Sequence, residues 1–263
     1  MKSIKERAAQ GLDSYGLNIG MSDPVVIEMA AKAGYDFVRL DFEHMLFDYG
    51  SAANMIRTAR LLDMPVQVRV PDLSHASALL DLGVSGLMVP HTSSKAIAEA
   101  AVSAVKYGPL GDRGMSGAAR VLGFGEMKLN DYSKWANDYV TLIIQIEDKA
   151  GLENIDSILS VPGVDMVATG KNDLSQALGI PGQNSHPDVI AAENLVIRKA
   201  LEYGKYPTLM VKNKKRLSEL KEAGVHCFTI SRDETLLAKA MKETLAEMKG
   251  DEYNVFHLKR AVF

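Results

Sequence analysis

Short apolar runs rich in β-branched residues alternate with longer amphipathic segments along the chain. The run from Thr141 to Ile146 (TLIIQI) is almost continuously apolar, which is typical of a strand covered on both faces. The pattern therefore favours a parallel sheet with helices on its faces. The predicted strands span residues 15–19, 37–41, 66–70, 86–89, 140–146, 164–168, 207–211 and 227–230.

Helical signals follow the predicted strands. Asp23 is a typical N-cap residue and Pro24 stands at the first helical position, with Ile27, Ala30 and Gly34 following at helical spacing. Several of the other segments end in glycine, as helices with a left-handed C-terminal cap do. The predicted helices span residues 24–33, 50–62, 74–82, 94–106, 149–159, 187–203, 213–223 and 233–248.

The fold class that this alternation predicts is α/β, as one (β/α)8 TIM barrel over residues 1–263 with an additional N-terminal helix. A doubly wound open sheet is the alternative. The barrel is favoured because no G-x-G-x-x-G motif follows the first strand and no Walker-type loop occurs, so neither common nucleotide fingerprint supports the open sheet.

Composition and charge exclude several classes of protein. With 47% hydrophobic and 24% charged residues, the chain is neither low in complexity nor a small disulfide framework. The net charge is −3 and the basic residues are scattered, so we expect no nucleic-acid partner. The N-terminus is charged and no apolar run approaches the ~18 residues of a membrane span, which predicts a cytoplasmic protein without a membrane partner. Cys227 lies in an apolar stretch and is expected to be a buried free thiol.

Ionisable residues interrupt the apolar pattern where predicted strands end. In a TIM barrel these ends form the face that carries the chemistry. We therefore take the polar residues there as candidates for a functional site. The five places are residues 41–44 (DFEH), Arg69, His91, residues 145–148 (QIED) and residues 169–175 (TGKNDLS).

Glu147 and Asp173 are the candidate metal ligands. Two carboxylates without a cysteine or an H-x-x-H spacing suit a hard ion that keeps several waters, which indicates Mg²⁺ or Mn²⁺. The alternative is that both acids only begin the helices that follow, as caps or first-turn residues. Spacing alone leaves both interpretations open.

Arg69 and His44 are the next candidates. A guanidinium within the apolar strand VQVRV must meet an acid or an anion, because burying an unpaired charge is costly. Arg69 therefore either binds substrate or forms a structural ion pair with Asp41 or Glu43. His44 has a position and a titration range that suit a general base, but it could equally be an ordinary loop histidine, and so could His91.

The loops after the last two predicted strands contain no glycine. They read VKNKK at residues 211–215 and SRDE at residues 231–234. Many barrels bind phosphate with glycine-rich loops at these places. A sugar-phosphate isomerase of the usual kind is therefore disfavoured, although the lysines could still bind an anion at longer range.

Read together, these motifs resemble the HpcH/HpaI aldolase and citrate lyase family of the phosphoenolpyruvate/pyruvate barrels, over roughly residues 15–249. Their order and spacing carry the resemblance. The motifs are GYDF at 34–37, DFEH at 41–44, VRVP at 68–71, LDLG at 80–83, VP at 89–90, GDRG at 111–114, QIE at 145–147, GVD at 163–165 and GKNDLS at 170–175.

The resemblance implies a metal-dependent class II aldolase that makes and cleaves 4-hydroxy-2-oxo acids, with pyruvate or a related 2-oxo acid and an aldehyde as partners. It further implies that the enzyme is a hexamer in which neighbours exchange the last helix. The implied roles are metal binding by Glu147 and Asp173, contact with the substrate oxygen by Arg69, proton transfer through water by His44 with Asp81, and substrate binding by Gln145, Lys171, Asn172 and Asp173. The substrate carboxylate would lie on the backbone amides of Asn172 and Asp173.

One departure from the family pattern concerns the residues before Asp173. The family's usual glycine-proline-alanine is here Gly170-Lys171-Asn172. Lys171 could bind a second acid group of the substrate, face solvent or form a Schiff base; a loop position predicts solvent.

The resemblance leaves other functions open as well. An acyl-CoA lyase of the citramalyl or malyl type shares the enolate chemistry, and a non-catalytic barrel with an altered substrate loop is the further alternative. The tail at residues 250–263 carries apolar residues with no helix left to pack them, so it either docks on another subunit or frays.

Overall fold

The computed structural model describes residues 3–250 and confirms the TIM barrel. Eight parallel strands pair in chain order, and the last pairs with the first to close the barrel. Each predicted strand is present within two residues of its expected bounds. The strands are β1 (Ser14–Ile19), β2 (Phe37–Asp41), β3 (Val66–Arg69), β4 (Gly86–Val89), β5 (Thr141–Ile146), β6 (Met166–Thr169), β7 (Tyr206–Met210) and β8 (Cys227–Arg232).

Helices surround this barrel. They are α1 (Ile4–Ala9), α2 (Pro24–Ala33), α3 (Tyr49–Leu61), α4 (Ala76–Leu82), α5 (Lys95–Val105), α6 (Leu129–Tyr139), α7 (Lys149–Glu153), α8 (Ile155–Leu159), α9 (Lys171–Ala177), α10 (Pro187–Glu202), α11 (Lys214–Glu222) and α12 (Asp233–Lys249). A short 3₁₀ helix spans Arg120–Leu122. Within residues 3–250, no helix has both the length and the apolar character that a membrane span requires.

Local capping explains why the predicted helices begin and end where they do. The Asp23 side chain accepts a hydrogen bond from the backbone N–H of Val25, and Gly34 ends α2 with φ of 88°. That left-handed conformation favours glycine because a Cβ atom would strain it. The cap residues read from the sequence therefore act as predicted.

Three helical details differ from the prediction. The predicted helix at 149–159 is broken at Asn154, which ends α7 and precedes α8. The helix α6 was not predicted, because Tyr132, Ser133 and Ala136 are its buried residues and give a weak apolar period. The seven-residue helix α9 already begins at Lys171, which the sequence places in a loop before a helix begun by Asp173, because Gly170 supplies no side-chain cap to mark the start.

The N-terminal helix closes one end of the barrel. Ile4 of α1 packs into an interior cluster that also contains Phe37, Met88, Ile143, Met166, Ala168 and Cys227. Lys5 and Lys106 place their Nζ atoms 2.9 and 2.7 Å from the two carboxylate oxygens of Asp165, which joins this helix to the loop before β6. Cys227 is a buried free thiol, as predicted.

Strand register brings the polar strand ends together at the opposite end. Asp41 on β2 pairs with Arg69 on β3, and Ile146 on β5 pairs with Thr169 on β6. Glu147 and Gly170 therefore leave adjacent strands side by side. Beyond Gly250, the tail lies outside the described residues, so its docking stays a prediction.

Candidate active site

A cavity of about 610 Å³ opens at the carboxyl ends of the strands. Its volume lies in the range that holds small-molecule ligands. The face is the one on which barrel enzymes carry their chemistry. Of the residues predicted for the site, the cavity is lined by His44, Arg69, Gln145, Lys171, Asn172 and Asp173.

Arg69 is held by two carboxylates. Its Nε and Nη2 atoms donate to the two oxygens of Asp41 at 2.9 and 2.6 Å, and its Nη1 atom lies 2.9 Å from Glu43 Oε2. Arg232 adds a second cation 2.8 Å from Asp41 Oδ2. Burial opposes ionisation of Asp41, but the hydrogen bond and charge of Arg69 and the charge of Arg232 outweigh it and hold its pKa below the usual value. The predicted ion pairs of Arg69 with Asp41 and Glu43 are both present, and the residue still lines the cavity.

Glu147 is almost fully buried, with 1% of its side chain exposed. Its Oε1 atom accepts a hydrogen bond of 2.8 Å from the backbone N–H of His91, and its Oε2 atom accepts one from Gln145 Nε2. Burial is the main cause that raises the pKa of Glu147 to about 7; the negative charges of Asp173 and Glu43 act in the same direction, and the backbone hydrogen bond and charge of His91 oppose them. A buried acid beside two other acids is the environment that a bound cation relieves.

Gly170 lies between the two predicted metal ligands. A Cβ atom built on Gly170 would lie 2.2 Å from Glu147 Oε2 and 3.3 Å from Asp173 Oδ2. Both carboxylates therefore converge on one small space that only glycine leaves open. This donor set of carboxylate oxygens fits a hard divalent ion such as Mg²⁺ or Mn²⁺.

A second acidic group shares Glu147. One ligand atom each from Glu43, His91 and Glu147 lie within 4.8 Å of one another. His91 Nε2 is 2.9 Å from Glu43 Oε1, and His91 Nδ1 is 3.2 Å from Glu147 Oε1. The His91 imidazole therefore lies between the two acids, and its backbone N–H fixes the position of Glu147 Oε1.

His44 stands at the mouth of the cavity with 51% of its side chain exposed. Its Nε2 atom is 3.7 Å from Glu43 Oε2, and its backbone N–H donates to Asp41 Oδ1 at 3.4 Å. The imidazole is thus near the acids that hold Arg69 and accessible to water. Its position is compatible with the predicted transfer of protons, which stays a prediction.

A loop position facing solvent was predicted for Lys171, and the structure differs from that prediction. It is the first residue of α9, and its Nζ atom lies 2.8 Å from Glu193 Oε2, with Arg216 Nη2 2.6 Å from the same oxygen. Glu193 is 1% exposed, so its buried charge attracts both cations. Beside them, Asn172 Oδ1 accepts a hydrogen bond of 2.6 Å from Asn184 Nδ2.

Asp81 lies elsewhere. It is on α4, and its Oδ1 atom is 2.6 Å from Nη2 of the buried Arg113. It is not among the residues that line the cavity of this single chain. The role of Asp81 in proton transfer therefore stays a prediction. The geometry of a single chain does not support it.

Two further site residues were not assigned from the sequence. Glu43 is predicted from the sequence only as a possible ion-pair partner of Arg69, although it follows the end of β2 by two residues and contacts His91 as well. Arg232 was missed because the predicted strand ended at residue 230, whereas β8 continues to Arg232. For both residues, the signal that the sequence offered was a charged side chain at or just beyond the end of a strand.

Comparisons with known proteins identify the family and the fold. A family model described as HpcH/HpaI aldolase/citrate lyase matches residues 14–240. A hydroxypyruvate/pyruvate aldolase from Pseudomonas aeruginosa is 34% identical, covering 94% of this chain and 92% of that protein. A 4-hydroxy-2-oxo-heptane-1,7-dioate aldolase from Escherichia coli is 32% identical, covering 94% and 95%. The crystal structure of an HpcH/HpaI aldolase from Desulfitobacterium hafniense DCB-2 has a TM-score of 0.90 and 30% identity, covering 95% and 98%.

Proposed function

The chain belongs to the HpcH/HpaI aldolase/citrate lyase family, and we propose that it is a metal-dependent aldolase that reversibly cleaves a 4-hydroxy-2-oxo acid into an aldehyde and pyruvate or a related 2-oxo acid. One observation carries the proposal. Glu147 and Asp173 converge beside Gly170, and Gly170, Asp173 and Arg69 line the same cavity. Relatives of similar length bear the names of pyruvate and 4-hydroxy-2-oxo acid aldolases, which supports this chemistry.

Glu147 and Asp173 would hold the divalent ion, with Mg²⁺ or Mn²⁺ as the expected choice. When bound, such an ion polarises the 2-oxo group and stabilises negative charge on its oxygen. Gln145 donates to Glu147 Oε2 and His91 donates to Oε1. These two hydrogen bonds keep the carboxylate turned toward Asp173.

Arg69 stabilises the charge that develops on the substrate. Three of its nitrogen atoms are held by Asp41 and Glu43, and Nη1 and Nη2 each carry a second N–H that remains able to donate to the C2 oxygen. Because the guanidinium is already fixed, no reorganisation is needed when negative charge forms there.

The substrate carboxylate lies at the beginning of α9 in this proposal. The backbone N–H groups of Asn172 and Asp173 belong to the first turn, where no intrahelical acceptor is available. They can therefore donate to a carboxylate, and the nearby cation of Lys171 adds attraction. Gln145 lies on the adjacent wall of the same cavity.

His44 moves the proton in cleavage. The 4-hydroxyl must lose a proton as the C3–C4 bond breaks, the bonding electrons pass toward the C2 oxygen, and C3 then accepts a proton to give the 2-oxo acid. His44 is accessible to water at the cavity mouth and close to Glu43, so it can take up and return that proton through a water molecule.

The direct test measures release of pyruvate from a 4-hydroxy-2-oxo acid. Activity should disappear on treatment with a chelator and return with Mg²⁺ or Mn²⁺, and Asp173→Asn should abolish both activity and metal binding. Asp156→Asn, at an exposed acid on α8, is the matched control and should change neither. Full activity after complete removal of metal would overturn the proposal.

The same assay separates the competing functions. Cleavage of citramalyl or malyl thioesters without activity on free 4-hydroxy-2-oxo acids would favour an acyl-CoA lyase. Absence of turnover on both panels would favour a non-catalytic barrel.

Assembly as a homo-oligomer, with a hexamer expected from the family resemblance, is also proposed. The helix α12 exposes Leu236, Leu237, Met241, Leu245 and Met248, and within its 17 residues the buried one is Asp233. An apolar face of this kind is typical of a helix that packs on another subunit. Light scattering that gives the mass of one chain would contradict the proposal. The cytoplasmic location stays a prediction, which cell fractionation can test.

A further inference from the structure

Arg39 is a cation inside the barrel that has no acidic partner. It is on β2 with 6% of the residue exposed, and it lines the cavity below the candidate metal ligands. Its Nε and Nη2 atoms donate to Gln67 Oε1 at 3.1 and 2.7 Å, and Nη2 also donates to Thr208 Oγ1 at 3.3 Å. These acceptors are neutral. Among residues 3–250, no carboxylate lies within ion-pair distance of Arg39, and its Nη1 atom donates no hydrogen bond.

The other arginines that line this cavity are all paired with an acid. Arg69 and Arg232 lie 2.6 and 2.8 Å from Asp41 Oδ2, and Arg216 lies 2.6 Å from Glu193 Oε2. Burying a guanidinium without an acid is costly. Arg39 has neutral hydrogen-bond acceptors and lies 5.7 Å from the centroid of the Phe37 ring, but no acid in the described part of the chain offsets its charge, which points to an anionic ligand.

Geometry directs the unused donors of Arg39 into the cavity. Gln67 on β3 and Thr208 on β7 accept hydrogen bonds from the guanidinium, so Arg39 reaches across the barrel interior. Its Nη1 atom keeps two N–H donors that are free to bind a ligand. Asn18, on the neighbouring strand β1 in register with Arg39, lines the same cavity, and its amide Nδ2 is a hydrogen-bond donor that a carboxylate can accept from. Thr229 adds a hydroxyl to this floor. The floor therefore offers unused polar groups around one fixed positive charge.

We propose that Arg39, with Asn18, Thr208 and Thr229, forms a subsite for a second carboxylate of the substrate. A carboxylate matches the planar guanidinium, which binds it through charge-assisted hydrogen bonds. Asp41 is two residues farther along β2, about 7 Å away along the strand, and it positions Arg69 at the reacting centre. That separation suits a dicarboxylic acid with one end at the metal ligands and the other on the floor. The placement of the first end rests on the proposed function.

Binding of matched acids tests the subsite without requiring turnover. The probes are 2-oxoglutarate and 2-oxopentanoate, which share the 2-oxo acid end and differ in the second carboxylate. By calorimetry in Mg²⁺, the wild-type chain should bind 2-oxoglutarate at least about tenfold more tightly, as expected for a charge-assisted hydrogen bond. Arg39→Met should bring the two affinities to within about twofold of each other, and Arg39→Lys should restore part of the preference.

The control for substitution of an arginine is Arg198→Met. Arg198 is exposed on α10, pairs with Glu202 and lies outside this cavity, so its variant should keep the wild-type preference. Thermal unfolding without ligand gives a second readout: a purely structural arginine would lower the unfolding temperature when replaced, whereas Arg39→Met should unfold at the same temperature or higher. Arg39→Gln serves the binding test if Arg39→Met does not fold.

Different results would contradict the proposed aldolase activity and the proposed carboxylate subsite. If the preference for the diacid depends on Arg39 both in Mg²⁺ and in a chelator, while no aldol cleavage is found, the subsite stands and the aldolase does not. Equal binding of the two acids by the wild-type chain, or an unchanged preference in both Arg39→Met and Arg39→Gln, would overturn the subsite whatever the activity.

Discussion

Arg69 holds Asp41 through two parallel hydrogen bonds, from Nε to Oδ1 at 2.9 Å and from Nη2 to Oδ2 at 2.6 Å. This fork joins the ends of two neighbouring strands, β2 and β3. It fixes the plane of the guanidinium, and the remaining N–H donors of Arg69 therefore point in a fixed direction. A lysine could supply the charge but not the fork.

Arg69→Lys should therefore lower the rate of aldol cleavage more than it lowers stability. We expect kcat to fall by about 10²–10³, the usual cost of losing a positioned donor at a developing oxyanion. The free energy of unfolding should change by less than about 2 kcal/mol, because Asp41 keeps Arg232 at 2.8 Å and the lysine keeps a positive charge. Steady-state kinetics and urea unfolding measure the two effects. A variant that loses stability and activity in parallel would indicate that Arg69 serves mainly as a structural ion pair.

Gly170→Ala should abolish metal binding. The added methyl would lie 2.2 Å from Glu147 Oε2, so the carboxylate must move away from Asp173. The backbone of Gly170 has φ of −103°, which alanine adopts without strain, so any effect comes from the contact. Gly114→Ala is the matched control, because a Cβ there meets no atom within 4 Å. Calorimetry with Mn²⁺ gives the comparison, and equal affinity in both variants would contradict convergence of the two acids.

The stability of the metal-free protein should depend on pH through Glu147. Burial raises its pKa to about 7 in the folded chain, against about 4.5 when unfolded, so the folded state holds more protons between these values. Stability should therefore fall as the pH rises from about 4.5 to about 7 and then level off. The full effect would be about 3 kcal/mol. Urea unfolding in a chelator at several pH values should show this fall in the wild-type chain and its absence in Glu147→Gln; identical profiles would refute the assignment.

Lys171 should not form an imine with pyruvate. Its Nζ atom is held 2.8 Å from the buried Glu193, so attack on a carbonyl would have to break this ion pair and leave the acid of Glu193 without Lys171. After incubation with pyruvate and borohydride, mass spectrometry should find Lys171 unmodified while chelation still stops turnover. A 1-carboxyethyl group on the Lys171 nitrogen, which is the product of borohydride reduction of a pyruvate imine, would instead support a Schiff-base mechanism.

The sequence predicts the barrel, which the structure confirms, and it locates the candidate metal ligands at strand ends, because both inferences depend on local patterns. Each strand is an apolar run that a helical period follows, and each candidate acid interrupts a run at its end, as Glu147 does. What the sequence does not reveal is which charges meet. Glu193 looks like an ordinary acid of an amphipathic helix, and its burial beneath Lys171 and Arg216 depends on how α9, α10 and α11 pack.

Arg39 also shows that the sequence does not reveal which charges meet. Its sequence context, FVRLD, is the signal that drew attention to Arg69 in VQVRV, namely a cation inside an apolar strand. This context predicts that both arginines are buried. Among the described residues, however, Arg69 is paired with two acids and Arg39 with none. Strand register and barrel closure decide this difference, and neither is encoded by the residues that flank each arginine.

The side chain of Ile4 fills the end of the barrel away from the cavity, which has a kinetic consequence. Small molecules can then pass only through the mouth above the strands' carboxyl ends. If the proposed aldolase binds its 2-oxo acid through an ion held by Glu147 and Asp173, that acid would enter before the aldehyde and leave after it. Turnover should accordingly follow an ordered sequence, with the aldehyde as the first product to leave.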